Sequence, residues 1–396
     1  MKAAVTGWAW RTPLGVTVEQ GVTRLLAGER AARPPEGFAA DAYACRLVAP
    51  LGVQPTRSRE GRFLRRMGRF ALEVAREAAE QAGVSGGDRV GLFAGFGGLR
   101  AHWEEMMPAL EKQAPDGRES WERGLKGLHP FWMLQHLSNN AHALVSVALK
   151  ARGEGMTFGG ANAGAQALAS AQRALAAGAV DVAIVLAEDT LLEPEVLVEL
   201  GASGVANRAG LEALEAPYSA RAAGFVPGEA VAAVVLEPLE RAGPRTLAWA
   251  EAADGADGSR GAPRPETLAR VAAGLVTPGV HLIDGAGRAD VTFDAAEREV
   301  LAKLVPEGAC LTSTASSMGQ LGASAPVVQL IALASCLRRG VLPPVAGLHE
   351  PAPGPLRCIV KSEETVGRQA LALSAGAPGL VGALRVEVVF VGTRNK

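Results

Sequence analysis

Residues 217–242 read PYSARAAGFVPGEAVAAVVLEPLERA, and the fold turns on how this stretch is understood. Its central part, EAVAAVVLEPL (229–239), is a strand-like apolar run. A run without alternating polar positions suits a strand covered on both faces, because neither side has to meet water. Upstream, VDVAIVLAED (180–189) and VGLFAG (90–95) have the same character. Between these runs lie helical patterns. Residues 66–83, RMGRFALEVAREAAEQAG, repeat apolar side chains at a spacing of three to four and stop on a glycine. Such alternation predicts a mixed α/β architecture with buried sheets.

One segment is built differently. Residues 156–178 read MTFGGANAGAQALASAQRALAAG, a short strand, a Gly-Gly turn and a helix of small side chains. With so few charges this helix is expected inside the protein, where small residues admit close neighbours. The composition shifts over residues 241–266, whose first few residues read as the passage between two halves, 1–243 and 244–396. Beyond it the pattern returns: TLAWAEAAD (246–254) as strand, 265–276 as helix, VHLIDG (280–285) as strand, a strand–turn–helix over 310–339, and terminal strands at 368–375 and 381–391. Two halves, each with a buried small-residue helix, suggest an internal duplication.

Composition narrows the function classes. The chain has 396 residues, 48% of them hydrophobic and 20% charged, enough for a large core. Its 40 basic and 41 acidic residues leave a net charge of −1, which gives no general attraction to nucleic acid or anionic membrane. Cys45, Cys310, Cys336 and Cys358 are widely separated, so neither a disulfide scaffold nor a structural zinc site is expected, and the reducing cytosol is the expected compartment. The start, MKAAVTGWAWRTPLG, has too short an apolar run for a signal peptide, and no apolar stretch approaches bilayer length.

Over nearly its whole length the chain resembles the ketosynthases of the thiolase superfamily. Residues 217–242 track that family's P-F-D-x-x-R-x-G-F-V-x-G-E-G-A run. VTGWAWRTPLGVTVEQGVTRLLAGERA, RRMGRFALEVAREAAEQAGV and HPFWMLQHLSNNAHALVSVALKARG are similar to its opening strand and first helix, its next helix and its central helical stretch. The resemblance implies an α/β thiolase-like fold, two duplicated βαβαβαββ halves in a five-layered α-β-α-β-α body, usually dimeric. It also implies a chemistry: a cysteine at the start of the buried helix, where dipole and dryness favour thiolate, two histidines that assist decarboxylation, and backbone N–H groups for the oxyanion.

None of those reactive groups is present. Where the family has A-C-x-x-G-A-Q-A, this chain has Gly160-Ala161-Asn162-Ala163-Gly164-Ala165-Gln166-Ala167, which puts Ala161 at the nucleophile, or Asn162 if the alignment slips by one. The E-A-H-G-T-G-T motif is matched by Asp284-Gly285-Ala286-Gly287-Arg288-Ala289-Asp290, followed by Asp294 and Glu297 in the acidic D-x-x-E, with Ala286 for histidine. K-S-x-x-G-H-x-x-G-A is matched from Ala315, with Gln320 or Gly319 for the second histidine. The late G-F-G-G-x-N run becomes Gly376-Ala377-Pro378-Gly379-Leu380-Val381. No catalytic residue, cofactor or metal is therefore expected. The family contains chain-length factors of type II polyketide and polyene pathways, which pair with an active ketosynthase and complete its tunnel, and the resemblance implies that role here. An unrecognised hydrolase or acyltransferase site, or a homodimeric acyl-binding scaffold, stands as the alternative.

The same resemblance marks three further groups. His102, Trp103 and Met106 are tunnel-floor candidates, or members of a helix packing on its own subunit. Phe131, Trp132 and Leu134, in the loop 129–140, would anchor a subunit interface together with the strand near 155–159; in a monomer they would be core. Arg57, Arg59, Arg62, Arg65, Arg66 and Arg69 place six arginines in thirteen residues. Of these, Arg62, Arg65, Arg66 and Arg69 are the expected dock for an acyl carrier protein bearing its phosphopantetheine-bound chain; the alternative is a solvated helix start paired with Glu60 and Glu73. The expected partners are an active ketosynthase and that carrier protein, with no nucleic acid and no membrane.

Overall fold

The computed structural model describes residues 2–36, 44–97, 128–137 and 139–389. His102, Trp103 and Met106 lie outside the described residues. The strands in chain order are β1 (Ala3–Arg11), β2 (Val90–Phe96), β3 (Met156–Gly159), β4 (Val182–Thr190), β5 (Glu229–Glu237), β6 (Ala248–Ala256), β7 (Val280–Asp284), β8 (Cys310–Thr312), β9 (Val341–Leu342), β10 (Arg357–Cys358), β11 (Glu363–Glu364), β12 (Gln369–Gly376) and β13 (Leu380–Glu387). The main helices are α1 (Val18–Leu26), α2 (Arg66–Ala82), α3 (Trp132–His136), α4 (Asn140–Leu149), α5 (Ala163–Ala176), α6 (Pro194–Ala202), α7 (Leu239–Ala242), α8 (Pro265–Ala272), α9 (Val291–Ala302), α10 (Ala315–Met318) and α11 (Ala325–Arg339).

The sheet carries the duplication openly. Its order is β10-β8-β7-β12-β13-β6-β1-β5-β4-β2-β3. In the first half β5 runs antiparallel to both β1 and β4, while β4, β2 and β3 are mutually parallel. In the second half β13 runs antiparallel to both β6 and β12, while β12, β7 and β8 are parallel. The two halves thus repeat one arrangement, β1-β5-β4-β2-β3 and β6-β13-β12-β7-β8, with the short β10 added beyond β8 in the second. Ala3–Val5 of β1 pairs with Ala248–Ala250 of β6 and joins the two sheets. Strand and helix succession is βαβαβαββ in both halves, with α5 and α11 in equivalent places.

Strand β5 shows why its sequence lacks alternation. Ala230, Ala232, Val234 and Leu236 pack into the central layer with Leu168 of α5 and Val327, Leu330 and Ile331 of α11. Val231, Ala233 and Val235 face the other way, onto Phe70, Ala71 and Val74 of α2. Both faces are dry, so both parities are apolar. α2 covers the first sheet from outside, α5 and α11 fill the space between the sheets, and α8 covers the second sheet, with α9 against it. These are five layers, α-β-α-β-α. α2 ends at Gly83, whose φ of 70° forms a left-handed C-cap. The smallness of α5 has a similar cause: a Cβ on Gly164 would overlap the Ala323 carbonyl, so only glycine lets α5 approach the turn before α11.

Candidate functional site

Strand β12 of the second half ends where the first-half helix α5 begins, and the positions singled out in the sequence gather at that end. Ala161 precedes α5 and lies against Gly376, so closely that a Cβ there would overlap the Ala161 methyl. Asn162 is 2% exposed; its amide nitrogen donates to the Val381 carbonyl at 3.4 Å and its carbonyl oxygen has no partner. Gln320 donates through Nε2 to the carbonyls of Ala286 (2.8 Å) and Gly287 (3.0 Å), which brings the two positions matched to the motif histidines into contact. Gly319, the other reading of the second position, borders the same cavity.

That cavity, between Ala286, Gln320, Gln329 and Ser374, encloses about 10 Å³. This is room for roughly one water molecule and for no acyl group. Ala161, Ala286 and Gln320 are the positions that the motif resemblance matches to a cysteine and two histidines, and none carries a thiol or an imidazole. The remaining cysteines offer no replacement. All four are buried and free. Burial pushes the Cys45 thiol up to about 11 and Cys336 to about 12, and raises Cys310 and Cys358 as well, so none is a thiolate near neutrality.

The supports of this corner are intact. Glu297, on α9 and fully buried, accepts from Ala286 N (2.8 Å), from the Tyr218 hydroxyl (2.8 Å) and from Gly287 N (3.4 Å). Asp294 accepts from the backbone N–H groups of Tyr218 and Arg288, each at 3.0 Å. Asp284 accepts from Thr314 N (2.8 Å) and Thr314 Oγ1 (2.9 Å). Burial, ahead of every other influence, pushes the carboxyls of Asp284 and Asp294 up to about 7 and raises Glu297. The D-x-x-E spacing pointed to Asp294 and Glu297, three apart on one helix; Tyr218 sits inside the 217–242 stretch. Nothing in the sequence disclosed that the tyrosine and the glutamate meet.

A second region lies on the outer edge of the first half. The segment expected as a loop contains a short helix, α3, because Trp132 N and Gln135 N find the carbonyls of His129 and Phe131. Phe131 is 44% exposed, Met133 67%, Leu134 38% and Leu137 48%, whereas Trp132 is half-buried with its ring stacked on His136 at 4.3 Å. Val147 of α4 and Met156 of β3 are exposed as well. β3 is the last strand of the sheet, and among the described residues its outer edge is unpaired. The arginines run up to this face. Arg66 grips Glu229 with two hydrogen bonds (2.7 and 2.8 Å). Arg65 contacts His136, and Arg69 donates to the carbonyls of Gly61 (2.9 Å) and Leu64 (3.1 Å). Arg62 is exposed and lies over the Phe63 ring, as exposed as Arg57 and Arg59. The alternative reading paired this cluster with Glu60 and Glu73, but Glu73 takes Thr56 N and Arg11, and Glu60 faces Arg76. Four of the arginines were grouped in the sequence; their separate partners come from β5, the 61–64 turn and α3, which spacing does not show.

Similarity to known proteins follows the same outline. Residues 2–242 match the profile of the beta-ketoacyl synthase N-terminal domain and residues 251–349 that of its C-terminal domain. The 3-oxoacyl-[acyl-carrier-protein] synthase 2 of Rhizobium meliloti is 27% identical over 89% of this chain and 90% of its own. The tetracenomycin polyketide synthase ketoacyl synthase beta subunit of Streptomyces glaucescens is 27% identical over 88% of this chain and 89% of its own. Among solved structures, the ishigamide ketosynthase/chain length factor superposes with a TM-score of 0.83 at 19% identity, covering 98% and 99% of the two chains. With the doubled sheet, the two inner helices and both domain profiles in agreement, this chain belongs to the beta-ketoacyl synthase family.

Proposed function

We propose that this chain is a catalytically inactive member of the family that acts as a chain-length factor. In this reading it forms a heterodimer with an active ketosynthase of a type II polyketide or polyene pathway and shapes the tunnel in which the partner's acyl chain grows. One observation carries it: Ala286 and Gln320 line a cavity of about 10 Å³ with no thiol or imidazole on its wall, Ala161 stands nearby against Gly376, and the carboxylate supports are kept. Nucleophilic attack, decarboxylation and proton transfer each need a group that is missing here.

What remains useful is contour. Phe131, Met133, Leu134 and Leu137 expose apolar surface, and among the described residues β3 leaves one strand edge unpaired, features through which one subunit's sheet can continue into another's. Phe131, Trp132 and Leu134 serve as interface anchors in this proposal, with β3 pairing to its counterpart in the ketosynthase. His102, Trp103 and Met106 floor the tunnel, where extending a chain against a bulky side chain costs about 1–3 kcal/mol. Arg62 presents the basic surface to an acyl carrier protein, while Arg65, Arg66 and Arg69 hold the shape of that surface through their intramolecular bonds. The border between the two halves falls at 243/244.

Co-expression with a ketosynthase bearing an intact Cys-His-His set, encoded in a neighbouring reading frame, tests this directly. The two chains should co-purify as a one-to-one complex that extends malonyl units, and Trp103→Ala should lengthen the product. A chain that purifies alone as a stable homodimer and ignores the ketosynthase contradicts the proposal.

A further inference from the structure

Arg288 has no counterpart in the resembled motif, which carries threonine at that position. Its side chain is 7% exposed, and its guanidinium lies between the rings of Phe225 (5.3 Å) and Phe293 (5.6 Å). One nitrogen, Nη1, donates to the Ala375 carbonyl at 3.0 Å. Among the described residues no other acceptor meets the guanidinium, and its Nε and Nη2 are not sealed in the core. The neighbouring carboxylates are otherwise engaged. Asp290 caps α9 by accepting from Phe293 N, Asp294 takes two backbone N–H groups, and Glu297 takes three donors. They surround the guanidinium without bonding to it.

The unfilled donors of Arg288 are therefore open to an incoming acceptor rather than shut away without one. Beside it lies a cavity of about 340 Å³, walled in part by Gly204, Ala222, Ala223, Gly224 and Ala289, whose small or absent side chains keep it open; Asp290 also lines it, with its carboxylate turned to the Phe293 N–H. Phe225 and Phe293 fix the plane of the guanidinium, and a planar fork with free N–H groups matches the paired oxygens of a carboxylate or phosphate.

We infer that Arg288 is the centre of an oxyanion-binding pocket, walled by the small residues Ala222–Gly224 and Ala289, that takes a carboxylate- or phosphate-bearing small molecule. Binding there is independent of the ketosynthase partner, because every lining group belongs to this chain.

Thermal unfolding of the full chain, titrated with inorganic phosphate or with acetate against sodium chloride at matched ionic strength, tests the site. One of the two anions should raise the melting temperature saturably beyond the chloride control; phosphate alone would mark a phosphate group as the natural occupant, acetate alone a carboxylate. Arg288→Met, which keeps the stem between the rings, should raise the half-saturating concentration at least tenfold. Ala223→Glu, at an exposed position on the rim, should do the same by placing a carboxylate at the mouth, and it keeps the test valid if Arg288→Met does not fold. A wild-type response equal to that of chloride, or an unchanged response in Ala223→Glu, would overturn the inference.

Discussion

The corner around Ala161, Ala286 and Gln320 and the face around Phe131 and Leu134 belong to one chain yet carry opposite signatures. The corner is narrow, its carboxylates Asp284, Asp294 and Glu297 are held by hydrogen bonds, and Ala161, Ala286 and Gln320 stand where the resembled motifs carry cysteine and histidine. The face is open, with phenyl, methionine and leucine side chains turned to solvent. Under the proposed function the corner has given up the family's reacting groups while keeping its supports, and the face offers apolar surface to a neighbouring subunit.

The largest effect should come from breaking the corner's support. Glu297→Ala leaves Ala286 N, Gly287 N and the Tyr218 hydroxyl without their acceptor, and urea unfolding should show a loss of about 3–5 kcal/mol, the range for removing one member of a buried network. A loss under about 1 kcal/mol would mean that the carboxylate is not what holds the loop. The face should respond in the opposite sense. Phe131→Asp combined with Leu134→Asp should weaken association with the ketosynthase on the order of a hundredfold, about 2.7 kcal/mol, as expected for central apolar anchors. The same variant, alone, should unfold within about 1 kcal/mol of wild type, since both positions are already solvent-facing. Equal damage to folding and to association would erase the distinction between the regions.

A subtler consequence concerns pH. Asp284 and Asp294 titrate near 7 in the folded chain, far above an unfolded aspartate near 4. The native state therefore holds protons that the unfolded chain gives up between those values. Stability contributed by these groups is greatest below about pH 4 and declines as pH rises toward 7, the reverse of a salt-bridged carboxylate. Melting temperatures from pH 4.5 to 8 should show this decline, and Asp284→Asn should flatten it; a wild-type-like slope in that variant would place the effect elsewhere. The smallest change is expected at the rim. Arg62→Glu should lower carrier-protein affinity several-fold, with the effect shrinking at high salt, because an exposed charge acts through a screened field. An unchanged affinity at low salt would remove Arg62 from the docking surface.

Much of the fold could be read from local pattern. The apolar runs at 90–95, 180–189 and 229–239 became β2, β4 and β5, and the periodic stretch 66–83 became α2 with its glycine cap. Each depends on neighbours within a few turns of chain, which the sequence displays. The site was legible in a narrower sense. Motif spacing located Ala161, Ala286 and Gln320, but not that Gln320 bonds the carbonyls beside Ala286, which lie more than thirty residues away. The arginine cluster shows the limit most clearly: six like residues in a row look like one feature, yet Arg66 is bound to buried Glu229 and Arg62 is solvent-facing. Long-range partners sort such residues, and they are set by topology. Arg288 escaped notice for the same reason, since its isolation appears only when Phe225, Phe293 and Ala375 converge on it.

Intact-mass spectrometry of the complex after exposure to a labelled acyl thioester probes the central claim most directly. All label should reside on the ketosynthase cysteine, and the mass of this chain should not change. A covalent acyl adduct on this chain, or release of carbon dioxide from malonyl thioester by this chain alone, would contradict the account.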